Sequence, residues 1–94
     1  MQPDRTVNFF LQKALRSIDN GDYADGMLVE RAYRKLVGDF IGRLTVSVQF
    51  TSGVLSLRLA TAALRSEMMR RRESLRRRIN EELHGEVVKK IYIS

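Results

Sequence analysis

Seven arginines and two glutamates lie between Arg65 and Arg78, a net charge of +5 in fourteen residues. The whole 94-residue chain carries +6, so the rest of it is nearly neutral. Guanidinium groups present planar forks of donors that match phosphate oxygens, and a dense cluster of them raises both encounter rate and affinity for a polyanion. The chemistry on offer is therefore binding, not bond-making. The chain has no cysteine and one histidine, His84. His84 lies beside Glu81, Glu82 and Glu86, but a single histidine with no cysteine is not expected to build a metal site with this acidic group. No phosphate loop or nucleophile–base pair is present. No catalytic residue, metal or cofactor is expected, and the chain does not read as an enzyme.

The bland alternative for the arginines is a solvated helix face held by local ion pairs. Glu67–Arg71, Glu73–Arg77, Arg77–Glu81 and Arg78–Glu82 stand at i, i+4 spacing, each pair contributing about 0.2–0.5 kcal/mol. Arg65, Arg70, Arg72 and Arg76 lack such a partner. The expected contact surface thus narrows to the first half of the stretch, around Arg65, Arg70 and Arg76, with Arg72 and Arg77 as further phosphate ligands. Arg58, Lys89 and Lys90 would extend the basic surface from the sheet. Protection of strand edges against aggregation is the commoner role for such residues and the favoured reading of these three. Tyr92 and Tyr23 offer rings for base stacking, although an amphipathic tyrosine at a domain rim is commoner. Tyr33, Phe40 and Phe10 are expected in the core.

One helix, from Ala62 to Gly85, must carry the arginines. Leu64, Met68, Leu75, Ile79 and Leu83 form its apolar stripe, Thr61 caps its start and Gly85 offers the C-cap. Arg71 and Arg72 fall at the margins of the stripe, where their stems would cover the core. Two helices precede it. The first runs from about Asp4 to Ile18, with Val7, Phe10, Leu11, Ala14, Leu15 and Ile18 on one face. The second runs from about Gly26 to Ile41, capped by Asp25, with Val29, Tyr33, Leu36, Val37, Phe40 and Ile41 facing inward. Gly38 would mark close packing or an approaching helix end, and Gly42 the C-cap.

The hydrophobic period then changes to two. Leu44, Val46, Val48 and Phe50 point in and alternate with Thr45, Ser47, Gln49 and Thr51. A turn at Thr51-Ser52-Gly53 leads to a second strand with Leu55, Leu57 and Leu59 inward. A third strand spans Val87–Ile93, with Val87, Ile91 and Ile93 in and Val88, Lys90 and Tyr92 out. The right-handed crossover through the long helix makes strands two and three parallel. The prediction is one α+β domain over residues 1–94, in the order α-α-β-β-α-β. Its three-stranded mixed sheet carries helices on one face and a polar, slightly basic face of Thr45, Ser47, Gln49, Ser56, Arg58, Lys90 and Tyr92 on the other.

Several of these residues recur in a known pattern: Tyr33, Val37-Gly38, Ile41, the hairpin through Gly53-Val54-Leu55-Ser56-Leu57, Glu67-Met68, Asn80, Leu83-His84-Gly85 and the closing strand from Val88 to Ile93. From about Phe10 to Ser94 the chain resembles the DciA family. The resemblance implies a KH-like fold and a part in loading the bacterial replicative helicase, DnaB, onto single-stranded DNA. Two departures stand out. The Gly-x-x-Gly loop of nucleic-acid-binding KH domains is missing, and the disordered C-terminal tail of many relatives does not follow Ser94.

Taken together, the expectation is a non-enzymatic, cytoplasmic, bacterial module that binds single-stranded or nonspecific DNA and meets the helicase. No apolar run approaches a membrane span. Exposed strand edges would permit a homodimer. A protein-interaction adaptor with an acidic partner, and an RNA-binding KH-like module, are the alternatives.

Overall fold

The computed structural model describes residues 22–94. The predicted helix from Asp4 to Ile18, with Phe10, lies outside the described residues. Helix α1 spans Asp22–Arg43, strand β1 Thr45–Thr51 and strand β2 Val54–Leu59. Helices α2 (Ala62–Arg70) and α3 (Arg72–Leu83) follow, and strand β3 (Lys90–Ile93) closes the sheet. β1 and β2 pair antiparallel, β2 and β3 pair parallel, and the strand order is β1-β2-β3. The mixed sheet and the crossover are as expected, and the helices pack on one of its faces.

The core lies between that face and the helices. Val29, Ala32 and Tyr33 come from α1, Leu55, Leu57 and Leu59 from β2, Met68 from α2, Leu75 and Ile79 from α3, and Val88 and Ile91 from the last segment. β2 supplies three core side chains because it is the central strand. β1 runs along α1: a side-chain carbon at Gly26 would stand 3.7 Å from Phe50 Cβ, while Tyr33 meets Thr45 at the strand's other end.

α1 begins at Asp22, ahead of the predicted start, so Asp25 lies inside it and not at its cap. It is interrupted at Gly38, whose backbone (φ 83, ψ 178) lies in a region essentially closed to other residues. Nothing stands within 4 Å of where a Cβ would be, so conformation and not close packing demands this glycine. The break resets the helical phase. Ile41 stays against the core, but Phe40, expected inside, turns out to 69 % exposure.

β1 corrects the simple alternation. Thr45 pairs with Leu59 and Ser47 with Arg58, so Val46 is the extra residue of a β-bulge. The bulge moves the start of the strand to the opposite phase. Thr45 is buried, and Val46 is 62 % exposed. The Thr45 hydroxyl is satisfied twice: it shares a 2.9 Å hydrogen bond with the Tyr33 hydroxyl and donates to the Ile41 carbonyl at 2.8 Å. Val48 and Phe50 point inward as expected, opposite Leu57 and Leu55. The hairpin turn is the expected one. Ser52 and Gly53 both take positive φ (50 and 82), as a two-residue turn matched to strand twist requires.

The third strand is shorter than predicted. Val88 was expected outside but is fully buried, and the segment before Lys90 is irregular. The reason is a side chain. Asn80 Nδ2 donates to the Val88 carbonyl at 2.9 Å, and Asn80 Oδ1 accepts from the Val88 amide at 2.8 Å. Asn80 thus takes both backbone groups that a neighbouring strand would otherwise pair. The Gly53 carbonyl receives the next two amides, Lys89 at 2.8 Å and Lys90 at 3.2 Å, and delivers the chain into register with β2.

Candidate nucleic-acid interface

The basic stretch is two helices, not one. Thr61 caps α2 by accepting from the Leu64 amide at 3.1 Å. α2 ends at Arg70, and Arg71 takes a non-helical conformation (φ −99, ψ 6) before α3 starts. No glycine or proline causes this. The apolar stripe has a gap between Met68 and Leu75. Arg71 and Arg72 are the two residues that a continuous helix would place in that gap. A guanidinium aimed at the core is costly to desolvate. Bending the helix there keeps Met68 and Leu75 buried and leaves both arginines exposed.

The far end also differs from expectation. The left-handed position is His84 (φ 57, ψ 39), not Gly85. The Gly85 amide donates to the Asn80 carbonyl and the His84 amide to the Glu81 carbonyl, which is the Schellman pattern with histidine in the glycine slot.

The ion pairs fall at other spacings than predicted. Glu67 accepts from Arg70 and from Arg71 Nε, the latter at 2.7 Å. These bonds hold its carboxyl below the ordinary carboxylate range. Glu73 pairs with Arg76 and not with Arg77. Arg76 Nη2 and Nε reach its carboxylate at 2.6 and 3.0 Å, which lowers the Glu73 pKa and raises that of Arg76. Glu82 pairs with Lys35 of α1 at 2.5 Å and not with Arg78, and that bond lowers its pKa. Of the four pairs read from spacing, Glu67–Arg71 forms; Arg76 takes Glu73 and Lys35 takes Glu82, and Arg77–Glu81 does not form.

The same survey sorts the candidate phosphate ligands. Arg65 Nη1 donates to the Leu59 carbonyl at 3.1 Å and ties α2 to the end of β2. Arg70 is held by Glu67. Arg76 is only 19 % exposed. Beyond Glu73 it reaches Glu86 at 3.4 Å and the Val88 carbonyl at 3.3 Å, beside the Asn80 clamp. The three arginines at the centre of the expected surface therefore each have a partner within the molecule, Arg70 on an exposed site. Arg72, Arg77 and Arg78 are exposed and have no hydrogen bond or ion pair with the described residues. Spacing alone had placed Arg77 and Arg78 among the neutralised charges. Their availability depends on Glu73 and Glu82 turning elsewhere.

On the sheet, Arg58, Lys89 and Lys90 are likewise exposed and unpaired among the described residues. Lys89 lays its stem over Gly53, where a Cβ would stand 3.1 Å from Lys89 Cδ. Arg58 lies on the central strand, so it guards no edge. The structure does not gather all eight candidates into one patch: one group follows α2 and α3, the other the sheet. Pattern reading missed Asn80 as a structural clamp; its neighbours Arg76, Arg77, Arg78, Glu81 and Glu82 are charged, so spacing does not mark it for burial.

Between α1 and the α2–α3 pair runs a groove of about 240 Å3, walled by Leu36, Val37, Ile41, Met68 and Leu75, with Arg71 and Arg78 beside them. Arg71 stands at the edge of this apolar surface, with its side chain 72 % exposed and bonded to Glu67. Arg72 does not line the groove.

Among the described residues no helix is long and apolar enough to cross a membrane, and no group of three His, Cys, Asp or Glu side chains is placed to hold a metal ion. No curated protein and no solved structure matches the chain. A family model does. The model described as Dna[CI] antecedent, DciA, aligns with residues 6–93, and it takes in the Gly38 break, the Ser52-Gly53 hairpin, the arginine-bearing helices and the Asn80 clamp: the chain belongs to the DciA family.

Proposed function

We propose that this chain is a non-enzymatic, DNA-binding module that acts with the replicative helicase during its loading onto single-stranded DNA in the bacterial cytoplasm. Family membership across residues 6–93 is the observation that carries the helicase part. The exposed, unpaired Arg72, Arg77 and Arg78 support the DNA part. Binding is electrostatic and indifferent to sequence. Phosphates replace water around guanidinium groups that the fold has left unspent, and release of counterions supplies the driving force. The described order α-β-β-α-α-β, with β2 and β3 parallel, supports a KH-like reading of the domain. Its carboxylates Glu67, Glu73 and Glu82 are bound to cations, which suits a scaffold better than acid–base chemistry.

The test is binding to single-stranded DNA over a salt series, with and without the helicase. Replacing Arg72, Arg77 and Arg78 by Gln flattens the log–log salt slope by about 2, at about 0.7 per phosphate lost. An unchanged slope removes these helices from the contact surface.

The groove between α1 and the α2–α3 pair favours a second reading. Its apolar walls with Arg71 and Arg78 alongside suit an amphipathic, acidic segment of a partner protein, an adaptor role in which DNA is not the ligand. Recovery of the helicase from nuclease-treated extract, together with no DNA shift at low salt, is the outcome that selects it.

A further inference from the structure

The sheet face turned away from the helices has a composition unlike the rest of the surface. Across β1, β2 and β3 there is no aspartate or glutamate. The outward residues include Gln49 on β1, Ser56 and Arg58 on β2, and Lys90 and Tyr92 on β3. Tyr92 is 58 % exposed, and neither it nor Arg58 nor Lys90 has a hydrogen bond or ion pair with the described residues.

The register places these side chains in a defined order. Tyr92 is level with Ser56, and Ser56 with Gln49; Lys90 is level with Val54. Because β2 and β3 are parallel, Lys90 lies one side-chain repeat before Tyr92, and Arg58 one repeat after it on the adjacent strand. At about 3.3 Å per residue the two cations stand roughly 13 Å apart along the strands, with the ring between them. The neighbour of Tyr92 on β2 is a serine, too short to cover the ring. Edge protection does not account for Arg58, which is on the central strand.

We propose that this open face is a platform for single-stranded DNA, in which a base stacks on Tyr92 while the phosphates on either side of it meet Lys90 and Arg58. An accessible ring accepts any base, and flanking cations in an acid-free setting follow the backbone. A duplex keeps its bases stacked on one another and cannot use the ring, so this face distinguishes single strands from duplex where the helix arginines do not. The inference rests on the DNA-binding reading above and adds a second surface to it.

The experiment is fluorescence anisotropy with labelled oligo(dT) about a dozen nucleotides long, a duplex of equal length and an equal-length oligo(U). Tyr92→Ala weakens oligo(dT) binding about five- to a hundred-fold with an unchanged salt slope and leaves duplex binding as it was. Tyr92→Phe keeps wild-type affinity, because the ring and not the hydroxyl is used. Arg58→Gln and Lys90→Gln each flatten the oligo(dT) slope by about 0.7. All three side chains are exposed, and matching thermal melts establish that the four variants fold. If Tyr92→Ala binds oligo(dT) like the wild type while the Arg72, Arg77 and Arg78 variant loses affinity, the platform is wrong and the DNA-binding reading stands. If the wild-type protein binds neither DNA, both fall together. Tighter binding of oligo(U) than of oligo(dT), lost in Tyr92→Ala, makes RNA the occupant and overturns the assignment to DNA.

Discussion

The arginine-bearing helices and the open sheet face carry charge in opposite ways. The helix segment holds seven of the chain's seventeen lysines and arginines and uses much of that charge internally. Arg65 ties α2 to β2, Arg70 and Arg71 neutralise Glu67, and Arg76 links Glu73, Glu86 and the Val88 carbonyl. The sheet face has two cations in its strands and no acids, and both cations are unspent. A count of charges therefore misjudges both regions. What separates the cations of the two regions is whether the fold gives them a partner. Those without a hydrogen bond or ion pair to the described residues are Arg72, Arg77 and Arg78 on the helices and Arg58, Lys89 and Lys90 on or beside the sheet.

Separating structural from available groups is an experiment in stability against binding. Asn80 is uncharged, so removing it breaks the clamp beside Arg76 without touching the field. Asn80→Ala leaves the buried amide without its partner and weakens the hold on the carbonyl of Val88. It lowers unfolding free energy by about 2–4 kcal/mol in urea titrations, while any DNA salt slope of the folded protein stays the same. Loss of less than about 1 kcal/mol would show that the segment entering β3 is held by something else. On the sheet, the bulge predicts an asymmetry. Thr45→Val removes two hydrogen bonds in the core and costs about 1–2 kcal/mol, whereas Val46→Thr, on the exposed bulge residue, stays within about 0.5 kcal/mol. The reverse order would restore simple alternation and place Val46 inside.

A smaller effect sharpens the comparison within the helices. Arg76→Gln lowers the urea midpoint and leaves the DNA salt slope unchanged; Arg72→Gln does the opposite. A flattened slope in Arg76→Gln would return that residue to the binding surface. The smallest effect is in pH. The carboxyls of Glu67, Glu73 and Glu82 sit below their ordinary value of 4.5 because Arg70 and Arg71, Arg76 and Lys35 bond to them. The folded protein thus takes up these protons less readily than the unfolded chain. Their stabilisation is complete above about pH 4.5 and fades as pH falls through the lowered values. It is modest because the pairs are exposed, and added salt should blunt it. A melting temperature indifferent to pH between neutrality and about pH 3 would mean that these pairs contribute nothing to stability.

Much of the architecture could be read from periodicity. Leu55, Leu57 and Leu59 alternate without interruption, and β2 is where they say. The turn at Ser52-Gly53 followed from a glycine between two alternating runs. Thr61 caps α2 as its place before a helical stripe implies. The misplaced features share one property: each depends on a residue that breaks phase. Gly38 shifts the helix under Phe40, Val46 shifts β1 under Thr45, and Asn80 shifts the approach to β3 under Val88. A periodic pattern has no means of saying where it skips. The candidate site was legible as a set of residue types and not as a set of available groups. Glu73 has arginines at both i+3 and i+4, and spacing does not choose between Arg76 and Arg77.

By itself, the sequence supplied the residue types. Charge, the lack of cysteine and a run of arginines are properties of composition and order, and the proposal of a polyanionic partner starts from them. It also determined the crossover and the mixed sheet, because apolar periodicity and chain connectivity leave few topologies. Only the tertiary structure decided which cations remain free. That choice was made by partners distant in the chain: Lys35 for Glu82, the Leu59 carbonyl for Arg65, Glu86 and Val88 for Arg76. The physical reason is that a hydrogen bond or ion pair depends on distance in space, and folding sets that distance once every element has found its phase.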